Sequence, residues 1–225
     1  MKTVNEENIQ LEVLNKEEKV EYAIEVEDFD IEVNYIEDET ELDSKEIQYI
    51  ERQIRNSYEY RSYIKYLKTE LNLTTCSLLP GLDVKDIKFS LEFHHFPLNL
   101  YDITNIITKS MLKEAVGKPV STMDIAKTVI GEHYRNVIGL VPLSKTLHEM
   151  AHNNAIVIPL NAINGKYRDF IKEYGLHIED STLDRINAIE EYNQKEEALA
   201  YNKEKLKKRI VNYNINYIKE ADDDV

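Results

Sequence analysis

The chain has 225 residues, of which 42% are hydrophobic and 31% charged, enough apolar material for one domain with appendages. Its single cysteine, Cys76, excludes an intramolecular disulfide framework and a cysteine-based zinc ribbon. The polar, acidic start MKTVNEENIQ is unlike a signal peptide, and no apolar run approaches the roughly 18–20 residues that span a membrane. We therefore expect a protein of the cytoplasm, the host cytoplasm if the source is viral, with no membrane partner.

The net charge of −14 is concentrated in an acidic N-terminal arm, residues 1–46. That segment holds 17 acidic residues and 4 lysines, whereas residues 47–225 hold 25 acidic and 24 basic residues. The first 19 residues suggest little structure, and apolar residues alternate with polar ones from Val20 to Tyr35, which predicts a strand or an extended arm. The arm could dock on a basic surface of this chain or of a protein partner, or it could be a solvated tail.

The middle of the chain predicts helices and one strand. Asp43 with Glu46 forms a capping box for a helix to about Leu71, with Tyr58 on its inward face. A break follows at Pro80 and Gly81, with Cys76 expected to be buried. The next segments are a strand over 86–96 ended by Pro97, a helix over 101–114, and a helix opened by Ser121 that runs to about 134.

The last third predicts short elements and then one long helix. Residues 137–141 are strand-like, Pro142 marks a turn, and a short helix covers about 145–153. A short apolar segment at 155–160 and a helix over 166–174 precede a long charged helix over about 181–211 and an acidic tail. We predict a main domain over 47–180 with a helical insertion at 99–136, followed by the C-terminal helix and tail over 181–225. The helix carries a basic cluster made of Lys203, Lys205, Lys207, Lys208 and Arg209. This cluster could supply positive potential for binding phosphates, or it could be a solvated helix face.

Four histidines occupy two tight patterns. His94 and His95 are adjacent at the end of the predicted strand, and His148 and His152 lie four apart on the predicted short helix. Residues at i and i+4 share a helix face, so both imidazoles can reach one ion. His94 or His95 could supply a third ligand and leave coordination positions open for water and substrate.

These residues resemble the HNH, or ββα-metal, endonucleases, most of all the subset with a histidine-built metal site found in nuclease colicins and in bacteriophage proteins. Glu92-Phe-His-His-Phe-Pro97 is similar to the first-strand motif, and the segment from Gly139 to His152 is similar to the second strand, turn and helix. The resemblance implies that His94, His148 and His152 bind one divalent ion, either Mg, Mn, Ni or Zn. It also implies that His95 is the general base in hydrolysis of DNA phosphodiester bonds, with a 3′-hydroxyl and a 5′-phosphate as products.

The sequence departs from this family pattern in two places. The asparagine that usually orients the base histidine would fall at Gly139, and Asn136, three residues earlier, is the candidate substitute. Ser144 and Leu147 stand where many family members have cysteines for a structural zinc. The departure at Gly139 favours an alternative: a non-catalytic phage interaction protein, or virion-associated protein, that retains the fold.

A third hypothesis comes from the same helix. His148-Glu-Met-Ala-His152 satisfies the H-E-x-x-H pattern of zinc metalloproteases, in which Glu149 would be the general base. The third ligand would then be Glu173, His177 or Glu179, and the strand histidines would have no explanation. We expect His133 and His177 to be helix-surface residues. For the fold we predict an α+β protein, mainly helical, around a small ββα-metal core.

Overall fold

The structure is a computed structural model that describes residues 33–37, 42–79, 81–85 and 89–193, and the backbone of 9–11 and 22–24. The rest of the predicted arm, the basic cluster, the acidic tail and the chain beyond residue 193 lie outside the described residues. The fold is α+β and mainly helical, as predicted. The described elements, in chain order, are β1 (Ile9–Leu11), β2 (Tyr22–Ile24), β3 (Tyr35–Ile36), α1 (Ser44–Asn56), α2 (Tyr58–Thr69), β4 (Leu91–His95), α3 (Leu100–Glu114), β5 (Val120–Ser121), α4 (Thr122–Tyr134), β6 (Leu140–Ser144), α5 (Lys145–His152), α6 (Tyr167–Tyr174) and α7 (Asp180–Asn193).

The chain forms two compact units. The first contains the described residues within Met1–Leu73, His95–Leu140 and Asn164–Thr182, and the second contains the described residues within Thr74–His94, Val141–Ile163 and Leu183–Val225. No helix among the described stretches has the length and apolar character needed to cross a membrane.

The first unit is a helical cluster in which α1, α2, α3 and α4 pack against one another. Apolar residues, many of them isoleucine, recur at helical spacing on the inward face of each helix and form the interior. The helix predicted after Ser121 is confirmed as α4, and Asn99 opens α3 with a capping box to Asp102. The fully buried side chains include Ile47, Ile50, Ile54, Ile103, Ile107, Ile125, Val129 and Ile130.

The single helix predicted from Asp43 to about Leu71 is wrong, because Ser57 divides it into α1 and α2. Ser57 has extended backbone angles (φ −66°, ψ 154°), and its hydroxyl accepts a hydrogen bond from the Tyr60 amide. The same hydroxyl donates to the Ile54 carbonyl at 2.8 Å. A serine side chain that bonds to nearby backbone groups replaces backbone hydrogen bonds of the helix, and so it ends one helix and caps the next. The break leaves Tyr58 68% exposed instead of buried.

Part of the acidic arm forms short strands. β1 pairs antiparallel with β2, so Ile9–Leu11 is a strand within a stretch for which we expected little structure. β3 pairs antiparallel with β5 in the first unit. The predicted alternation over Val20–Tyr35 thus covers β2 and the first residue of β3, while Val33 and Asn34 are outside any strand and the rest of the range lies outside the described residues.

The second unit is built on β4, β6 and α5, although one end residue of each strand is assigned to the first unit. β4 and β6 form a two-stranded sheet. The Phe96 amide donates to the Gly139 carbonyl, and the Lys145 amide donates to the Ser90 carbonyl, so the strands run antiparallel. α5 follows β6 without a loop, which gives the strand–strand–helix order of the predicted core.

The strand predicted at 137–141 begins three residues later than expected and contains Pro142, which we placed in a turn. Proline is tolerated here because the side of Pro142 that lacks an N–H faces away from β4, so no hydrogen bond between the two strands is lost. The Pro142 carbonyl accepts a hydrogen bond from the Ser77 amide at 2.8 Å, so the outer edge is covered by a segment of the same unit. Next to that segment Cys76 is fully buried, as predicted.

Candidate metal centre

β4 places its side chains on two faces with different surroundings. Leu91, Phe93 and His95 are buried, whereas Glu92 and His94 are half-buried. This is the alternation of a strand with one face on a core. His94 is therefore held toward the more open face by the burial of its neighbours.

α5 presents the other two histidines. Ser144 caps the helix by accepting from the Leu147 amide, and Leu147 and Met150 are its buried residues. His148 and His152, four residues apart, lie off that apolar stripe, with His148 half-buried and His152 exposed. The helix ends at His152 because Asn153 leaves helical geometry.

The structure brings His94, His148 and His152 together within the second unit. One ring nitrogen from each lies within 4.8 Å of the other two. The ring centroids of His94 are 5.1 Å from His148 and 4.8 Å from His152, and those of His148 and His152 are 4.6 Å apart. Two imidazole nitrogens on one tetrahedral zinc ion would be about 3.3 Å apart, so small side-chain rotations would close the site around an ion. The donor set therefore fits one borderline divalent metal such as Zn²⁺ or Ni²⁺.

Glu92 completes this cluster in a role that the sequence reasoning missed. Its Oε2 lies 2.7 Å from Nδ1 of His148. The contact is made by Nδ1, and it is the arrangement of a carboxylate that orients a metal-binding histidine. The signal was present in the sequence, since Glu92 lies two residues before His94 and period two puts both on one strand face.

Replacing Glu92 with glutamine should weaken divalent metal binding by about 10–100-fold. The amide keeps the size of the side chain but removes the charge that orients His148. Isothermal titration of the purified full chain with Zn²⁺ measures the effect, and Glu149→Gln, an exposed acid on α5, is the matched control. Unchanged affinity in Glu92→Gln would show that the contact does not support metal binding.

His95 is placed differently from the three converging histidines. Its side chain is buried at 6% exposure, and its Nε2 lies 2.9 Å from Nε2 of His133. His133 is itself 1% exposed, so our expectation of a surface residue is wrong. His133 lies on the inward face of α4, three and four residues after Ile130 and Val129. We expected it to be exposed because its neighbours in the sequence, Glu132 and Tyr134, are polar.

Asn136 does not contact His95 through its side chain. It is exposed, and its positive φ of 58° makes it a turn residue after α4. Its backbone carbonyl accepts from the Lys166 amide at 2.7 Å. Gly139 contributes only backbone, through the Phe96 hydrogen bond.

The residues of the metalloprotease hypothesis are not assembled around the two α5 histidines. The third donor among the described residues is His94 from β4. Glu173 is paired with Arg135, and Glu179 with Lys109, both inside the first unit. Glu149 is exposed on α5. The geometry thus follows the strand-plus-helix arrangement.

The buried His133 should make stability fall in acid. The pKa of His133 is lowered from its usual value of 6.5 to about 4, chiefly by burial; the bond to the Val129 carbonyl opposes the shift and the charge of Arg55 adds to it. Between these values the unfolded chain binds one more proton than the folded chain at this site. The stabilisation is therefore complete above pH 6.5 and is lost as the pH falls toward 4, at about 1.4 kcal/mol per pH unit and about 3 kcal/mol in total.

Urea unfolding of the chelator-treated chain between pH 7 and pH 4.5 tests this expectation. The free energy of unfolding should fall more steeply in the wild type than in His133→Gln, because glutamine does not titrate in this range. Parallel curves for the two proteins would contradict it.

Comparison with known proteins gives one match. The family model described as "Bacteriophage G278-like virion protein" matches residues 1–221. No curated protein and no solved structure matches the chain. This family match agrees with the bacteriophage origin that the resemblance implied. It does not show membership of an HNH nuclease family.

Proposed function

The chain belongs to the bacteriophage G278-like virion protein family, and from this we propose that it is a component of the phage particle that binds one divalent metal ion. The observation that carries the proposal is the convergence of His94, His148 and His152 within 4.8 Å. Family membership favours a role in the virion over the cytoplasmic enzyme that the sequence motif first suggested.

The proposed ion would link strand β4 to helix α5 within the second unit. His94 lies on the more open face of β4, one residue before the strand ends, while His148 and His152 belong to α5. A metal bound by all three holds the strand and helix together, and its binding free energy adds to the free energy of folding. Glu92 then positions His148 for the ion. In this function the protein supplies a stable surface to other virion components and needs no catalysis.

Two measurements test this function. Mass spectrometry of gradient-purified phage particles should find the chain in the virion, and metal analysis of the purified protein should find one equivalent of Zn²⁺ or Ni²⁺ after loading and dialysis. Absence from the particles would overturn the virion role. A chain that binds no metal would overturn the metal centre.

A second candidate function, metal-dependent hydrolysis of DNA, is favoured by the number of ligands. The described residues offer three histidine donors, and sites with three protein ligands are typical of catalytic metals, whereas structural sites are usually closed by four. In this function His94, His148 and His152 hold the ion and His95 accepts the proton of the attacking water. A bound divalent ion would supply stabilisation of the charge that develops on the scissile phosphate.

Plasmid nicking separates the two functions. Supercoiled DNA incubated with the full chain and Mg²⁺, Mn²⁺, Ni²⁺ or Zn²⁺ should be converted to nicked circles if the centre is catalytic. Cleavage with one of these metals that EDTA abolishes supports hydrolysis. No cleavage under any metal, with the metal still bound, leaves the non-catalytic virion role.

A further inference from the structure

His133 is bonded at both ring nitrogens inside the first unit. Its Nδ1 lies 2.7 Å from the Val129 carbonyl oxygen. A carbonyl only accepts hydrogen bonds, so Nδ1 of His133 carries a proton. The ring is almost fully buried, and burial lowers its pKa to about 4, so it is neutral near pH 7 and its Nε2 is an acceptor.

This proton placement determines that of His95. The two Nε2 atoms are 2.9 Å apart, so one of them must donate to the other. Nε2 of His133 has no proton to give, and the donor is therefore Nε2–H of His95.

We propose that His133 is the positioning residue of His95: its Nε2 accepts the hydrogen bond from Nε2–H of His95 and so holds that ring in one orientation with the proton on Nε2. Two tyrosines hold His133 in turn: the ring of Tyr60 meets it edge-on with centroids 5.8 Å apart, and that of Tyr63 at 5.2 Å. The bond to Val129 and these two rings restrict rotation of His133 about its side-chain torsions.

This assignment accounts for the departure at Gly139. The resemblance implies an asparagine that orients the base, but glycine has no side chain and Asn136 is exposed. His133 offers an acceptor from α4 instead, thirty-eight residues after His95 in the chain. The catalytic consequence rests on the proposed hydrolysis of DNA, whereas the tautomer does not.

The tautomer can be measured without metal or DNA. Long-range ¹H–¹⁵N correlation spectra of the labelled full chain report which ring nitrogen of each histidine is protonated, and loss of a signal set in His95→Gln assigns His95. We expect His95 to be protonated at Nε2 in the wild type. A wild-type His95 protonated at Nδ1 would overturn the proposal.

Two variants at one position separate positioning from packing. His133→Leu fills the space but offers no acceptor, so His95 should lose its preference for the Nε2–H tautomer. His133→Gln places an amide oxygen near the former Nε2 and should keep that preference. An unchanged tautomer in His133→Leu would refute the role, and if that variant does not fold, the wild-type and His133→Gln spectra decide the question.

Kinetics test the catalytic consequence. In the nicking assay His133→Leu should lower kcat by about 10²–10⁴-fold with little change in KM, and His133→Gln should recover part of the rate, because a wrong tautomer costs a histidine base its function. Equal kcat in the wild type and His133→Leu would remove the catalytic role. If the wild type does not cleave DNA, the hydrolysis proposal fails and the spectra still decide whether His133 positions His95.

Discussion

His148→Ala should weaken divalent metal binding by more than about 100-fold, beyond the roughly 10–100-fold that loss of an orienting residue costs. His148 is chosen because its ring lies 5.1 Å from His94 and 4.6 Å from His152, and because Glu92 contacts its Nδ1. Alanine leaves two imidazoles and an unpaired carboxylate. Isothermal titration with Zn²⁺ or Ni²⁺ gives the dissociation constants.

His177→Ala is the matched control for this experiment. His177 is also half-buried, but it lies in the first unit and is absent from the converging group. Its removal should leave the affinity unchanged. Equal affinities for the wild type and His148→Ala, or a loss confined to His177→Ala, would refute the site.

His95→Gln should lower the rate of DNA nicking by about 10²–10⁴-fold while metal affinity stays the same, the range expected for loss of a general base. Glutamine is the suitable replacement because its amide can still donate toward Nε2 of His133, whereas alanine would leave that buried acceptor without a partner, at a cost of about 1–3 kcal/mol. The amide cannot accept a proton from water. Single-turnover nicking at saturating metal measures the rate.

The result separates catalysis from metal binding. Equal nicking by the wild type and His95→Gln would exclude His95 as the base. Weakened metal binding in His95→Gln would show that His95 supports the ligands and not the chemistry. Thermal unfolding of both proteins serves as the control for folding.

The parts of the site that sequence could predict are those set by local spacing. The i, i+4 pair His148 and His152 follows from helix geometry alone, and His94 at a strand end follows from the alternation in β4. The order strand, strand and helix could be inferred because Pro97 and Ser144 bound short segments. Such features depend on residues near one another in the chain.

The parts that sequence could not predict depend on contacts across the fold. The pairing of His95 with His133 joins positions thirty-eight apart. Helical spacing from Val129 and Ile130 could have placed His133 on the inward face of α4, but nothing local identifies His95 as its partner. The break at Ser57 depends on a side chain that bonds its own backbone in place of the helix, against the apolar periodicity on either side. Pro142 can lie in a strand because its carbonyl, and with it the side that lacks an N–H, faces Ser77 and not β4.

The central claim is that this virion-family protein holds one metal ion between β4 and α5. Crystals of the full chain grown with Zn²⁺ and measured on both sides of the zinc absorption edge test it directly. We expect one anomalous peak about 2.0–2.1 Å from a ring nitrogen of each of His94, His148 and His152. No peak between these rings, or a peak bound by other residues instead, would contradict it.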